Sequence, residues 1–293
     1  MRMVGLYREL ECSPGRHRSN DALLLDQVAL ALRTHGCEVE LTPLSTTAPS
    51  RAPEGLIFSM CQGRAALDVL LRWEADGARI VNRPTSALNT YRERLAPLMQ
   101  DTGVAFPSTV LVATSKGSDA GVDGEALTGG VWLKRGDMHA SVQTDVRWID
   151  SADGLRAGLK EFAARGIARA AVQRHFEGDE IKFYGVAGGR FFHWFYPAKD
   201  TEQGRKAAER HPVDVRALQA LAERAAAAAG LEIYGGDVIV SPSGELTLID
   251  LNDWPSFAPC RDRAADAIAG YLMGCVNVAW NPGLVSISHE RAV

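Results

Sequence analysis

This chain has little that would staple it, anchor it or hold it to a polyanion. Its 293 residues include only five cysteines, Cys12, Cys37, Cys61, Cys260 and Cys275. They are odd in number, widely scattered and never spaced Cys-x-x-Cys, which excludes a disulfide framework and a zinc knuckle and leaves reduced thiols. No run of apolar residues is long enough for a bilayer: the most apolar late segment, Ala267 to Trp280, is about 14 residues where a span needs about 20. Met1 to Tyr7 lacks signal-peptide anatomy, so a cytoplasmic protein is expected. The net charge of −4 and a pI near 6.0 argue against nucleic acid or a membrane surface as partner, while leaving room for local basic pockets. At 46% hydrophobic and 23% charged residues, what remains is an ordinary globular protein able to bury a substantial core.

The first third alternates short apolar runs with amphipathic stretches. Met3 to Tyr7, Cys37 to Leu41, Gly55 to Met60 and Arg79 to Val81 read as strands, with helices from Asn20 or Asp21 to Leu32 and from Ala65 to Ala75. Strand–helix–strand alternation with short connections predicts a parallel α/β sheet over residues 1–84. After Asn82-Arg83-Pro84, a helix is expected from Ser86 or Asn89 to Thr102, then strands at Thr109 to Val112, Val131 to Lys134 and Ala170 to Arg174, with a helix at Ser151 to Arg165 between the last two. Residues 115–130 and the tail beyond Asn281 read as loop. The remainder predicts two strands, a helix over Val213 to Ala229 stopped by Gly230, a hairpin and a helix over Arg261 to Met273.

The hairpin carries the most chemistry. Gly235 to Val240 and the run from Leu248 to Pro255 flank a Ser-Pro-Ser-Gly turn; Asp237 lies on the first strand, and Asp250 and Asn252 sit two apart on the second. Period-two alternation points the last two to one face. Two carboxylates and an amide oxygen make a hard, oxygen-only set suited to Mg²⁺; strand-end acids facing solvent are the plain alternative. Lys134 ends an apolar strand, where it is either a phosphate contact or a surface lysine. Ala171 to Lys182 forms a strand-to-strand hinge through Gly178, able to present backbone groups to an adenine edge and a carboxylate to ribose.

In this order and spacing, over about residues 80–275, these segments resemble the ATP-grasp superfamily. Asn82-Arg83-Pro84 with Arg92-Glu93-Arg94-Leu95 is similar to the family's Asn-x-Pro and lysine segment, with Arg94 in place of the first phosphate-binding lysine. Lys134 matches the second lysine. Gln173, Arg174, Phe176 and Glu180 fall at the adenine hinge and ribose acid, and Asp237, Asp250 and Asn252 at the magnesium ligands, within an Asn252-Asp253-Trp254-Pro255 signature. The resemblance implies an N-terminal α/β domain (1–84), a lid subdomain (85–172) and a C-terminal subdomain with the metal site (173–293). It also implies ATP and Mg²⁺ as cofactors, small amino-acid-like carboxylate and amine substrates, and amide formation through an acyl phosphate, with Lys134, Lys182 and Arg94 stabilising the transferring phosphoryl group.

The pattern departs from the family in three places. The loop after Lys134 has one glycine, Gly136, so His139 and Ser141 either donate to phosphate or stand exposed. Gly235 occupies the position where D-alanine–D-alanine ligases carry a substrate-holding arginine. Asp250 stands where most amide-forming members have Glu, as in the superfamily's inositol polyphosphate kinases, which keeps phosphotransfer to a small polyol or phosphate ester as the competing expectation. Substrate contacts are expected from Arg16 in the loop after the first strand, from Arg190, and from Ser256 and Arg261 beyond the metal asparagine. Cys61 has no identifiable His partner. No interface signature appears, so a homo-oligomer stays open.

Overall fold

A computed structural model describes residues 1–13, 18–45, 51–115, 127, 129–140, 142–197 and 210–277. Arg16, the glycine-rich 116–126 stretch, residues 198–209 and the C-terminal tail lie outside the described residues.

Three four-stranded sheets organise the described residues. Strands β1 (Arg2–Tyr7), β2 (Glu38–Pro43), β3 (Leu56–Ser59) and β4 (Ile80–Val81) pair in parallel in the order β2-β1-β3-β4. The interior of β1 and all of β3 are buried, as near-continuous apolar runs in a covered parallel sheet require. Helices α1 (Arg18–Thr34) and α2 (Arg64–Ala75) supply the crossovers.

The expected single helix over 86–102 is instead two, α3 (Pro84–Asn89) and α4 (Arg92–Asp101), divided at Thr90-Tyr91. Tyr91 is extended (φ −66°, ψ 132°) and caps the second helix, so α4 starts with its own rotational phase. Leu95 and Met99 of α4 pack with Leu218, Val238 and Leu251. The apolar face of α4 thus packs against α6 and the third sheet.

The second sheet is antiparallel: β5 (Thr109–Ala113), β6 (Val131–Arg135), β7 (Val146–Ile149) and β8 (Arg169–Arg174), in the order β5-β8-β6-β7. Helix α5 (Ala152–Ala164) covers one face, its N-terminus capped by Ser151 Oγ accepting from the Gly154 N–H. Val131, Leu133, Ile149, Ala170 and Val172 point into this core with Leu159 and Phe162. By alternation Trp132, Lys134, Ala171 and Gln173 turn to the opposite face.

The third sheet is also antiparallel: β9 (Asp179–Val186), β10 (Phe191–Phe195), β11 (Ile233–Val240) and β12 (Leu246–Asp253), in the order β10-β9-β11-β12. Helix α6 (Val215–Ala229) starts at the Asp214 cap and ends at Gly230 in the left-handed region, φ 73°. Helix α7 (Arg261–Asn277) packs on α1, so the first and third sheets share a core containing Leu24, Leu32, Ile233, Trp254, Phe257 and Ile268. Among the described residues no helix is long and apolar enough to cross a membrane.

Asn82, immediately after β4, locks this arrangement. Its amide Nδ2 donates to Ile233 O (2.6 Å) and to Asp253 Oδ1, and its Oδ1 accepts from the N–H groups of Glu232 (2.8 Å) and Ile233 (2.9 Å). Both Asn82 and Asp253 are buried. Burial pushes the Asp253 carboxyl up to about 7, opposed by the Asn82 hydrogen bond and Arg8. Arg8, following β1, donates to the carbonyls of Asp253 (3.3 Å) and Trp254 (2.6 Å). The last residues of β12 are thus held from two elements of the first sheet.

Candidate active site

The site is built on one face of the third sheet. Register places Asp237 of β11 opposite Lys182 of β9 on one side and Asp250 of β12 on the other, so the three side chains form a row across the sheet. Alternation adds Glu180 to the same face of β9 and Asn252 to that of β12. Lys182 Nζ lies 2.7 Å from Asp237 Oδ1 and 3.5 Å from Glu180 Oε1. Asp250 Oδ2 lies 2.6 Å from Nη2 of Arg92, the first residue of α4.

The second sheet faces this row. Lys134, buried on β6, donates to the Ile249 carbonyl at 3.4 Å and ties the two sheets together. Burial lowers its pKa to about 8, aided by neighbouring Arg92 and opposed by Asp250, Asp237 and Glu180. Burial would raise the Asp250 carboxyl, but Arg92, Lys134 and His139 outweigh it and hold it below its ordinary value.

The loop after β6 is pinned over α4: Glu93 N donates to Gly136 O at 3.0 Å, and the Arg92 guanidinium reaches Met138 O at 3.4 Å. His139 Nε2 meets Thr90 Oγ1 at 2.8 Å, and burial lowers its pKa to about 4. His139 is therefore neutral at pH 7, and its Nε2 is engaged by Thr90, between α3 and α4.

Two expectations change with the structure. Arg94 is exposed on the outer side of α4, and Arg92 enters the row in its place. Residues two apart on a helix do not share a face, and the break at Tyr91 decides which one turns inward. Arg190 sits at the β9–β10 turn, exposed, with its guanidinium against Gly270 and Gly274 of α7 and away from the row.

Gln173 is buried and faces the cleft on β8, whereas Arg174 and Phe176 are exposed. Ser256 is half-buried, and no hydrogen bond ties it to the row. Arg261 donates to Asn20 Oδ1 at 2.8 Å, reaching α1. Cys61 is buried with its thiol pKa raised by desolvation, the state of a packing residue rather than a nucleophile.

Sequence reasoning missed an aromatic group on the cleft face of the second sheet. Trp132 Nε1 donates to His175 Nδ1 at 3.2 Å, and the Trp148 ring stands edge-on to His175 with centroids 4.9 Å apart. The alternation of Trp132 with Lys134 would have placed Trp132 there. Trp148 was out of reach because β7 itself was not anticipated.

The donor set decides which metal fits. Among the described residues no group of three or more His, Cys, Asp and Glu side chains could hold a metal ion. Two carboxylates and the Asn252 amide do not suit zinc or iron, but do suit Mg²⁺, which keeps waters and takes phosphate oxygens for its other positions. Beside that set stand three cations, Arg92, Lys134 and Lys182.

The architecture has close counterparts among solved structures. A RimK-domain ATP-grasp protein of Sphaerobacter thermophilus superposes with a TM-score of 0.66 at 20% identity, over 94% of this chain and 100% of that one. The VanG D-Ala:D-Ser ligase of Enterococcus faecalis gives 0.67 at 13% identity, over 93% and 98%. The ATP-grasp ligase PsnB, in complex with a minimal precursor, Mg and ADP, gives 0.61 at 17%, over 94% and 98%.

This chain has the ATP-grasp fold. No family model matches the sequence, and no curated protein matches it either. The likeness thus lives in the backbone. The carboxylate row lies on the third sheet, and Lys134 of the second sheet reaches it. The loop after β12 shows local strain consistent with a built site: Trp254 and Phe257 have φ of 40° and 49°, held there by complete burial of both side chains.

Proposed function

We propose that this protein is an ATP- and Mg²⁺-dependent carboxylate–amine ligase that joins small amino-acid-like molecules. The observation that carries the reading is the row Lys182–Asp237–Asp250–Arg92, with Lys134 descending on it from the opposite sheet. A carboxylate pair beside three cations in a cleft fits a metal-bound triphosphate and little else.

Asp237, Asp250 and Asn252 would hold Mg²⁺, whose chemistry is to neutralise charge on the phosphate oxygens. Arg92, Lys134 and Lys182 bind the β- and γ-phosphates and stabilise charge on the phosphoryl group as it moves. Gln173 and the backbone of the hinge receive the base, and Glu180 the ribose hydroxyls. The substrate carboxylate oxygen attacks the γ-phosphorus, ADP leaves, and the amine nitrogen then displaces inorganic phosphate from the acyl carbon. The closed lid keeps water from the acyl phosphate.

ATP turnover with Mg²⁺ against a library of amino acids and dipeptides, reading ADP and free phosphate together, tests this. Equimolar ADP and phosphate, only when an acid and an amine are both present, is the expected result. ADP without free phosphate would mean that the phosphoryl group stays on a hydroxyl, and would replace the ligase with a kinase.

A further inference from the structure

Both metal-side carboxylates already have a cation. Asp250 pairs with Arg92 at 2.6 Å and Asp237 with Lys182 at 2.7 Å, and Lys182 also meets Glu180. Among the described residues the row therefore balances: Asp237, Asp250 and Glu180 against Arg92, Lys182 and Lys134. All are partly or wholly withdrawn from water, where an unpaired charge is costly and pairing is strong.

A divalent cation alone would have to displace Arg92 and Lys182 and leave them unpaired beside it. A polyphosphate alone would have to draw those cations away and leave Asp237 and Asp250 facing its oxygens. When both arrive, the partners exchange: the metal takes the carboxylates and the phosphates take the guanidinium and the ammonium groups.

We propose that Arg92 and Lys182 act as internal counter-ions to the metal carboxylates, so that divalent cation and nucleotide bind strongly only together. Arg92 is suited to the exchange. Its guanidinium also touches the carbonyls of Arg135 and Met138 in the loop above the row, at 3.5 and 3.4 Å. It can leave Asp250 for a phosphate without leaving the cleft. The coupling is reciprocal by linkage: the factor by which metal tightens nucleotide equals the factor by which nucleotide tightens metal.

This inference rests on the nucleotide reading of the site, but its test does not depend on turnover. Mn²⁺ binding to the full chain is followed by electron paramagnetic resonance, without nucleotide and with saturating ADP. Wild type should bind Mn²⁺ weakly alone, and ADP should tighten it by about tenfold or more. Arg92→Ala should tighten Mn²⁺ in the absence of ADP and shrink the ADP effect, whereas Asp250→Asn should weaken Mn²⁺ in both conditions. A merely structural role for Arg92 would not raise metal affinity. Circular dichroism checks the fold, and Lys182→Ala, which frees Asp237, gives a second reading if Arg92→Ala does not fold. Equal Mn²⁺ affinity with and without ADP in wild type, or nucleotide-free affinity unchanged in both cation variants, would overturn the proposal while leaving the ligase reading intact. Failure of the wild type to bind ADP would count against the ligase reading itself, and the nucleotide-free comparison of the variants would still decide this one.

Discussion

Replacing Asn82 by alanine should cost more stability than any surface change in this protein. The side chain is 3% exposed and links the end of the first sheet to two strands of the third. Alanine removes two donations from Nδ2, to Ile233 O and Asp253 Oδ1, and two acceptances by Oδ1, from the N–H groups of Glu232 and Ile233. A buried polar group stranded in this way costs about 1–3 kcal/mol. The Ile233 carbonyl and N–H and the Asp253 carboxyl all lose a partner in the interior. Some relaxation and water entry will soften the sum, so a loss of about 3–5 kcal/mol is expected, at the upper end for single substitutions. Guanidinium unfolding at pH 7 measures it, as a lower midpoint at unchanged slope. Because Asp253 follows Asn252 directly, the same variant should weaken Mn²⁺–ADP binding even under conditions where it stays folded. A loss under about 1 kcal/mol would refute the claim that this bracket holds the sheets together.

Arg94→Ala should leave ATP turnover within about twofold of wild type, whereas Arg92→Ala should lower it by at least about a hundredfold, the scale of losing one transition-state charge contact; steady-state kinetics on both decide which arginine serves the site. Lys134, at a pKa of about 8 in the empty protein, must be charged to hold phosphate, so ADP affinity should fall as pH rises through about 8, and Lys134→Met should flatten that fall in a calorimetric pH series. Glu232 is held by burial at a pKa of about 7, above its ordinary value, although the Tyr271 hydroxyl donates to it at 3.1 Å. The folded protein keeps that proton while the unfolded chain loses it, so stability is greatest below about pH 4.5 on this account and declines as pH rises towards 7. Glu232→Gln should therefore stabilise by about 1–3 kcal/mol at pH 8 and by nothing at pH 4, read by denaturant unfolding at both pH values.

Much of the fold was legible because its two periods are clean. The near-continuous apolar runs of β1 and β3 announced a buried parallel sheet, and the separation of Asp250 from Asn252 by one residue placed both on one face before any register was known. What failed was phase. Nothing local in Asn89-Thr90-Tyr91-Arg92 announces that one helix stops and another starts, because Tyr91 carries no capping side chain; the restart turned Arg92 inward and Arg94 outward. Strand β7 was missed because Arg147 and Trp148 look like surface residues in isolation. Only pairing with β6 explains Trp148 as the neighbour of Trp132, and Arg147 as a partner of Glu161 on α5. Asn82 was read through its place in a motif, but its four hydrogen bonds span 150 to 171 residues of sequence, a separation that no sequence pattern reports. The pairing of Asp237 and Asp250 each with a cation was equally hidden, since it depends on side chains brought in from β9 and α4.

The most direct test of the central claim is chemical trapping. The protein is incubated with ATP, Mg²⁺ and a panel of carboxylic acids, with hydroxylamine as the only amine, and hydroxamate is measured alongside free phosphate. A ligase working through an acyl phosphate should yield hydroxamate and phosphate in equal amounts for its own acid, and neither product in Asp250→Asn. ADP formed with a phosphorylated acceptor, and no hydroxamate from any acid, would contradict the account.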